Sequence, residues 1–168
     1  YNLNFSNLVI FIMITILGST GTIGINTLSI ISKIKKKYPI FALTANKNIT
    51  LLLKQIKELN PTYAVIGKEQ DALMLERLCK NYNIKTKILF GEKGLIFVSE
   101  QKKAKYVLSA IVGAAALKPT LAAIKKGKKI LLANKESLIM SGSLMIKSAK
   151  KSGAIIIPVD SEHNAILQ

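Results

Sequence analysis

Met13-Ile14-Thr15-Ile16-Leu17-Gly18-Ser19-Thr20-Gly21-Thr22-Ile23-Gly24 runs from an apolar segment into three glycines, each three residues from the next. The apolar part has the length of one buried strand, and the residues after Gly24 return to a helical spacing of apolar positions. Glycine permits a tight strand-to-helix turn and lets backbone N–H groups come close to a pyrophosphate, which the positive end of the helix dipole then stabilises. The spacing is G-x-x-G-x-x-G instead of the common G-x-G-x-x-G, so a purely structural turn is an alternative on spacing alone. A strand before it and an amphipathic helix after it favour the dinucleotide reading.

Outward from this turn, short apolar runs alternate with helical patterns. Strands are expected at 14–17, 40–44, 63–66, 87–90, 106–112, 129–133 and 154–159, and helices at 23–36, 50–59, 69–82, 119–126 and 137–151. That alternation is the signature of βαβ units on a mainly parallel sheet, an α/β fold of the Rossmann-like, doubly wound type. Pro119 suits a first helical turn, where its missing N–H is harmless, and Gly127 and Gly153 suit helix ends. Residues 91–105 carry the weakest pattern and are expected to form a short helix and a charged loop. No repeat, low-complexity linker or internal domain boundary is visible. The first methionine is Met13, at the first strand. Residues 1–12 therefore read as a non-native or disordered extension, and residues 13–168 as the folded unit.

The 168 residues are 49% hydrophobic, enough for a sizeable core, which excludes disordered, collagen-like and disulfide-stapled classes. Mean hydropathy is +0.32, yet no run reaches the roughly 18 apolar residues of a membrane span. No membrane partner is expected. Cys79 is the single cysteine, so no intramolecular disulfide can form and a reducing, cytoplasmic setting is expected. With His163 as the only other soft ligand, a tetrahedral zinc site is excluded. The chain carries 25 Lys and Arg against 9 Asp and Glu, a net charge of +16. Such a charge ordinarily suggests nucleic acid. Arg77 is the only arginine, however, and lysine together with abundant Ile and Asn is what an AT-rich coding sequence produces. The excess is therefore read as solvated lysine faces, with no nucleic-acid partner.

Three further segments carry candidate chemistry. In a dinucleotide fold the reader of the adenosine ribose stands at the end of the second strand, about 20 residues past the glycines. The residues there are Asn46-Lys47-Asn48, with no acid to accept a ribose 2′-OH. A lysine flanked by amides suits a 2′-phosphate, so the expected cofactor is NADPH rather than NADH. Later, Ala133-Asn134-Lys135-Glu136-Ser137 joins a strand end to a helix. Its polar side chains fall where ligands bind in open α/β sheets, although a simple polar cap reads equally well. Finally, Asp160-Ser161-Glu162-His163-Asn164 follows the last strand. Carboxylates at i and i+2 there can converge on one hard cation, or the run is a polar turn capping a helix at Asp160.

These motifs resemble the 1-deoxy-D-xylulose 5-phosphate reductoisomerase family. The resemblance is carried by ILGSTGTIG at 16–24, ALTANKNIT at 42–50, SAIVGAAALKPTLAAIKKGKKILLANKESLI at 109–139 and PVDSEHNAILQ at 158–168. It implies a metal-assisted rearrangement of a sugar phosphate followed by reduction with NADPH, giving 2-C-methyl-D-erythritol 4-phosphate for isoprenoid synthesis. It also implies cofactor contacts from Thr20, Gly21, Thr22, Ile23, Asn46, Lys47, Asn48, Asn134 and Glu136. Lys135, Ser161 and Glu162 would contact substrate, with Lys135 and Glu162 in catalytic roles. Asp160 and Glu162 would bind Mg²⁺, Mn²⁺ or Co²⁺. A homodimer is implied for the family's full-length members, which run to about twice this length or more. The additional part is expected to supply another metal-binding glutamate, the substrate-phosphate residues, a lid and a C-terminal helical domain. This chain is accordingly expected to be an inactive fragment by itself. Asn46 stands where the family often has glycine, Thr22 replaces the usual serine, and Leu167 the usual phenylalanine. A different NADP-dependent oxidoreductase would share the glycine turn but not the DSEHNA run. A cofactor-binding module without activity is the other alternative.

Overall fold

The computed structural model describes residues 12–34, 38–133 and 135–159, with the backbone alone for residues 135–137. Its strands are β1 (Met13–Leu17), β2 (Ile40–Thr44), β3 (Tyr63–Ile66), β4 (Lys87–Phe90), β5 (Ala104–Ser109), β6 (Lys129–Leu132) and β7 (Ile155–Pro158). The helices between them are α1 (Thr22–Lys33), α2 (Ile49–Leu59), α3 (Glu69–Asn81), α4 (Gly91–Glu100), α5 (Leu117–Lys125) and α6 (Lys135–Ser152). The strands form one sheet in the order β4-β3-β2-β1-β5-β6-β7, every neighbouring pair parallel. The expected Rossmann-like, doubly wound α/β class is thus observed.

Both faces of the sheet are covered, which explains why its central strands read as continuous apolar runs without alternation. Ile14 and Ile16 of β1 pack with Leu28 and Ile31 of α1, Leu52 and Ile56 of α2 and Leu75 of α3. Leu17 belongs to the opposite cluster, with Val98 of α4, Ile124 of α5 and Met145 of α6. Thr15 is fully buried on that second face, and its hydroxyl donates to the Val98 carbonyl oxygen at 3.3 Å. Chain direction across the sheet reverses at β1, which pairs with β2 on one side and β5 on the other. A crevice therefore opens beyond the carboxyl ends of these strands, where ligands bind in such folds.

Several boundaries differ from the expectation. β5 ends at Ser109 instead of 112. Its neighbour β1 turns away at Gly18, so the ladder between the two strands closes with Ala110 N donating to Leu17 O at 2.9 Å. The apolar character of Ile111 and Val112 reflects the crevice wall, which their spacing alone does not distinguish from a strand. α5 starts at Leu117, which still places Pro119 in its first turn. α6 begins at Lys135 and is interrupted at Ser141, whose φ of −150° is non-helical. Gly127 and Gly153 follow helices with φ of +68° and +74°, as expected of helix ends. Residues 91–105 resolve into the ten-residue α4 and a short connection to β5.

Part of the lysine excess has a structural home. Lys33, Lys57, Lys80, Lys125, Lys150 and Lys151 lie in the last turns of their helices, where the helix dipole favours cations. Among the described residues no helix is long and apolar enough to cross a membrane.

Candidate cofactor-binding site

The glycine turn is shaped by two close approaches. Gly18 has a φ of +86°, and a Cβ there would stand 2.7 Å from the Ala110 carbonyl oxygen. A Cβ on Gly24 would stand 2.7 Å from Ser19 Cα. Gly18 is thus required by the turn and Gly24 by the contact of α1 with it, whereas Gly21 has room on every side. Gly21 is also the N-cap of α1. Among the described residues no side chain caps that helix, and no acid lies in its first turn. Its leading N–H groups are therefore free to bind an anion.

The turn forms one wall of a cleft of about 440 Å³. Thr20 and Gly21 face it from the turn, Asn46 from the end of β2, Gly67 from the end of β3, and Ala110 to Val112 from the end of β5. Glu92, from the start of α4, is the one acidic side chain on its lining among the described residues. It accepts a hydrogen bond from Lys118 Nζ at 2.8 Å, with both side chains more than half exposed. A larger groove of about 700 Å³ lies where β3 and β4 begin, and it contains none of the motif residues.

Of the expected cofactor residues, the structure brings Thr20, Gly21 and Asn46 to the cleft lining. Thr22 and Ile23 lie in the exposed first turn of α1, beside the cleft. Lys47 is exposed on the loop between β2 and α2, next to Asn46. The side-chain oxygen of Asn48 caps α2 by accepting from Leu51 N at 3.0 Å, which leaves its NH₂ as a donor. Lys135 and Glu136 start α6, just past the end of β6. Asn134, Asp160, Ser161 and Glu162 lie outside the described residues, and with them the expected metal ligands. Among the described residues no group of three or more His, Cys, Asp or Glu could hold a metal ion.

The model for the 1-deoxy-D-xylulose 5-phosphate reductoisomerase family matches residues 14–142. The chain belongs to that family. Reductoisomerases similar to it include that of Saccharophagus degradans, 48% identical over 155 residues, and that of Buchnera aphidicola subsp. Acyrthosiphon pisum, 50% identical over 155 residues. These matches cover 92% of this chain but only 40% and 39% of the two relatives, so the chain spans about two fifths of their length. A crystal structure of a reductoisomerase in complex with NADPH, fosmidomycin and magnesium is 45% identical. It superposes with a TM-score of 0.89 over 92% of this chain and 38% of its own. The Zymomonas mobilis reductoisomerase in complex with NADPH is 39% identical, with a TM-score of 0.86 over 90% of this chain and 39% of its own.

Sequence reasoning missed the residues that hold this reductoisomerase turn from behind. Gly18 N donates to Thr44 Oγ1 and Ser19 N to the Thr44 carbonyl oxygen, both at 2.8 Å. Gln55 of α2 bonds twice to Ser19. The available signal was a glutamine at a position where the 3.6-residue period of α2 calls for an apolar side chain.

Two titratable groups away from the cleft are perturbed. Burial lowers the Lys128 pKa to about 8, while its Nζ donates to the Gln101 carbonyl oxygen at 2.7 Å. Burial, followed by the nearby Glu76 charge, pushes the Cys79 thiol up from 9.0.

Proposed function

We propose that this chain holds NADPH for the conversion of 1-deoxy-D-xylulose 5-phosphate to 2-C-methyl-D-erythritol 4-phosphate. The observation that carries the reading is the uncapped, acid-free N-terminus of α1, set behind a glycine turn that opens on the cleft. Backbone N–H groups of Thr22 and Ile23, at the start of α1, are suited to the pyrophosphate, with Thr20 and Gly21 lining the cleft beside them. The absence of an acid from Asn46-Lys47-Asn48 removes the usual acceptor of a ribose 2′-OH. The Lys47 ammonium and the amides of Asn46 and Asn48 supply donors for a 2′-phosphate instead. Asn134 and Glu136 are assigned to the cofactor as well.

NADPH supplies the hydride, and a divalent cation, Mg²⁺, Mn²⁺ or Co²⁺, supplies Lewis-acid polarisation of substrate oxygens. Asp160 and Glu162 are the ligands this chain offers that cation, a donor set of hard carboxylate oxygens suited to it. Lys135, Ser161 and Glu162 bind and orient the sugar phosphate, with Lys135 and Glu162 in contact with the reacting part. We assign residues 13–168 to the NADPH-binding unit of a cytoplasmic enzyme that acts as a homodimer. Titration calorimetry of the chain with NADPH and NADH tests the cofactor reading. Tighter binding of NADPH is expected, and equal affinities overturn it.

A further inference from the structure

Gln55 lies on the sheet-facing side of α2 between Leu52 and Ile56, both with no exposed surface, and is itself only 5% exposed. A buried carboxamide is costly unless its oxygen and its N–H groups find partners. The oxygen and one N–H find them in a single residue. Ser19 Oγ donates to Gln55 Oε1 at 2.7 Å, and Gln55 Nε2 donates to the Ser19 carbonyl oxygen at 2.8 Å. The Thr44 carbonyl oxygen accepts from Ser19 N at 2.8 Å and, 3.1 Å from Ser19 Oγ, is a second and longer acceptor for the hydroxyl proton. Every polar atom of Ser19 is thereby used, in a residue with no exposed surface.

Ser19 sits inside the glycine turn, flanked by Gly18 and Thr20, which both line the cleft. Gln55 does not line it. Its two bonds therefore act on the cofactor site only through the turn. The same helix begins at the Asn48 cap, directly after Asn46 and Lys47. α2 thus links the loop assigned to the 2′-phosphate with the turn assigned to the pyrophosphate. A leucine or methionine would fill the site without the cost of burying an amide, so what the glutamine adds over an apolar side chain is its pair of bonds to the turn.

We propose that Gln55 is a positioning residue for the cofactor, fixing the glycine turn in its binding conformation before NADPH arrives. The inference rests on the proposed function above. Ordering the turn in advance removes an entropic cost from binding, so the effect appears in cofactor affinity. It should fall equally on NADPH and NADH, because both share the pyrophosphate. Changes at Lys47, by contrast, alter their ratio.

The test titrates NADPH and NADH into the unaltered chain and into Gln55→Met, Gln55→Glu and Ser19→Ala, with circular dichroism fixing the folded fraction of each. Gln55→Met should raise both dissociation constants about tenfold, with their ratio unchanged. Amide hydrogen exchange across residues 18–25 should accelerate in the free variant. Gln55→Glu carries a signature that a packing role lacks. As a carboxylate, Glu can accept from Ser19 Oγ but faces the Ser19 carbonyl oxygen with no proton. Once protonated, it donates there. Its affinity deficit against the unaltered chain should therefore shrink as pH falls from 8.5 to 6. If Gln55→Met does not fold, Ser19→Ala and Gln55→Glu decide the matter. Dissociation constants within twofold of the unaltered chain in the folded variants, or a loss confined to NADPH, overturn the inference alone. No binding of either cofactor by the unaltered chain overturns the proposed function with it.

Discussion

A methyl group on Gly24 would stand 2.7 Å from Ser19 Cα, and closer still to the Gly18 carbonyl oxygen. Both contacts are to backbone that hydrogen bonds hold in place, so neither can yield cheaply. Alanine in a helix is favoured over glycine by about 1 kcal/mol, but overpacking against fixed backbone costs about 1–3 kcal/mol. Because both contacts lie under 3.0 Å, the cost belongs at the upper end of that range, and Gly24→Ala should destabilise the chain by a net of about 2 kcal/mol, read as a drop in Tm of about 6 °C. Gly21→Ala should behave oppositely. The nearest atom to its Cβ is 3.6 Å away, so Tm should hold while the added methyl at the cleft raises the NADPH Kd about tenfold. Equal stability losses in the two variants would contradict the division of roles between these glycines.

The fold was legible because its signals are local. Short apolar runs and glycine punctuation place β1 to β7 within a few residues, since buried parallel strands read as apolar blocks with sharp ends. The end of β5 was misread because Ile111 and Val112 continue the apolar run into a cleft wall, and a periodicity argument cannot see that β1 has already turned away. Half of the site was legible for the same local reason. Thr20, Gly21 and Asn46 follow strands directly. Gln55 was not, because its partner is 36 residues away and only tertiary packing brings a polar side chain on α2 under the glycine turn. Gly67, just past the end of β3, and Glu92, in the first turn of α4, were missed likewise, because neither segment carries a motif of its own.

Lys47 is exposed on the loop that follows β2, beside Asn46 at the cleft. A charged contact to a 2′-phosphate in so open a setting contributes about 1–2 kcal/mol. Lys47→Ala should weaken NADPH binding by the corresponding factor and leave NADH binding nearly unchanged. Calorimetry with both cofactors measures it, and parallel losses would move the 2′-phosphate site elsewhere.

The Glu92–Lys118 pair joins α4 to α5 at the rim of the cleft, with side chains 56% and 66% exposed. Solvent screening and side-chain entropy leave such pairs about 0–1 kcal/mol. Glu92→Gln should accordingly shift Tm by no more than about 3 °C. It also removes a negative charge from the lining of a site read as taking an anion, so NADPH affinity should rise modestly, and more at low salt than at high. A fall in affinity would show that Glu92 accepts a hydrogen bond from the cofactor.

Lys128 is buried where β6 begins, and its pKa falls from 10.5 to about 8 in the folded chain. Between those values the unfolded chain still carries the proton that the folded chain has released. Stability contributed by this residue therefore rises with pH from about 8 to 10.5, because deprotonation relieves the cost of a buried charge. Cys79 works in the other direction. Its raised pKa keeps the proton in the folded state above pH 9.0, so its contribution falls as pH rises. The two overlap, and the raw pH profile mixes them. Urea unfolding of the unaltered chain and of Lys128→Met at matched pH isolates the lysine. The difference in unfolding free energy between them should be constant below pH 7 and change through 8 to 10, in favour of the unaltered chain. A difference that stays flat across that range would mean that Lys128 keeps its charge in the fold, held by the Gln101 carbonyl oxygen and the nearby Glu100.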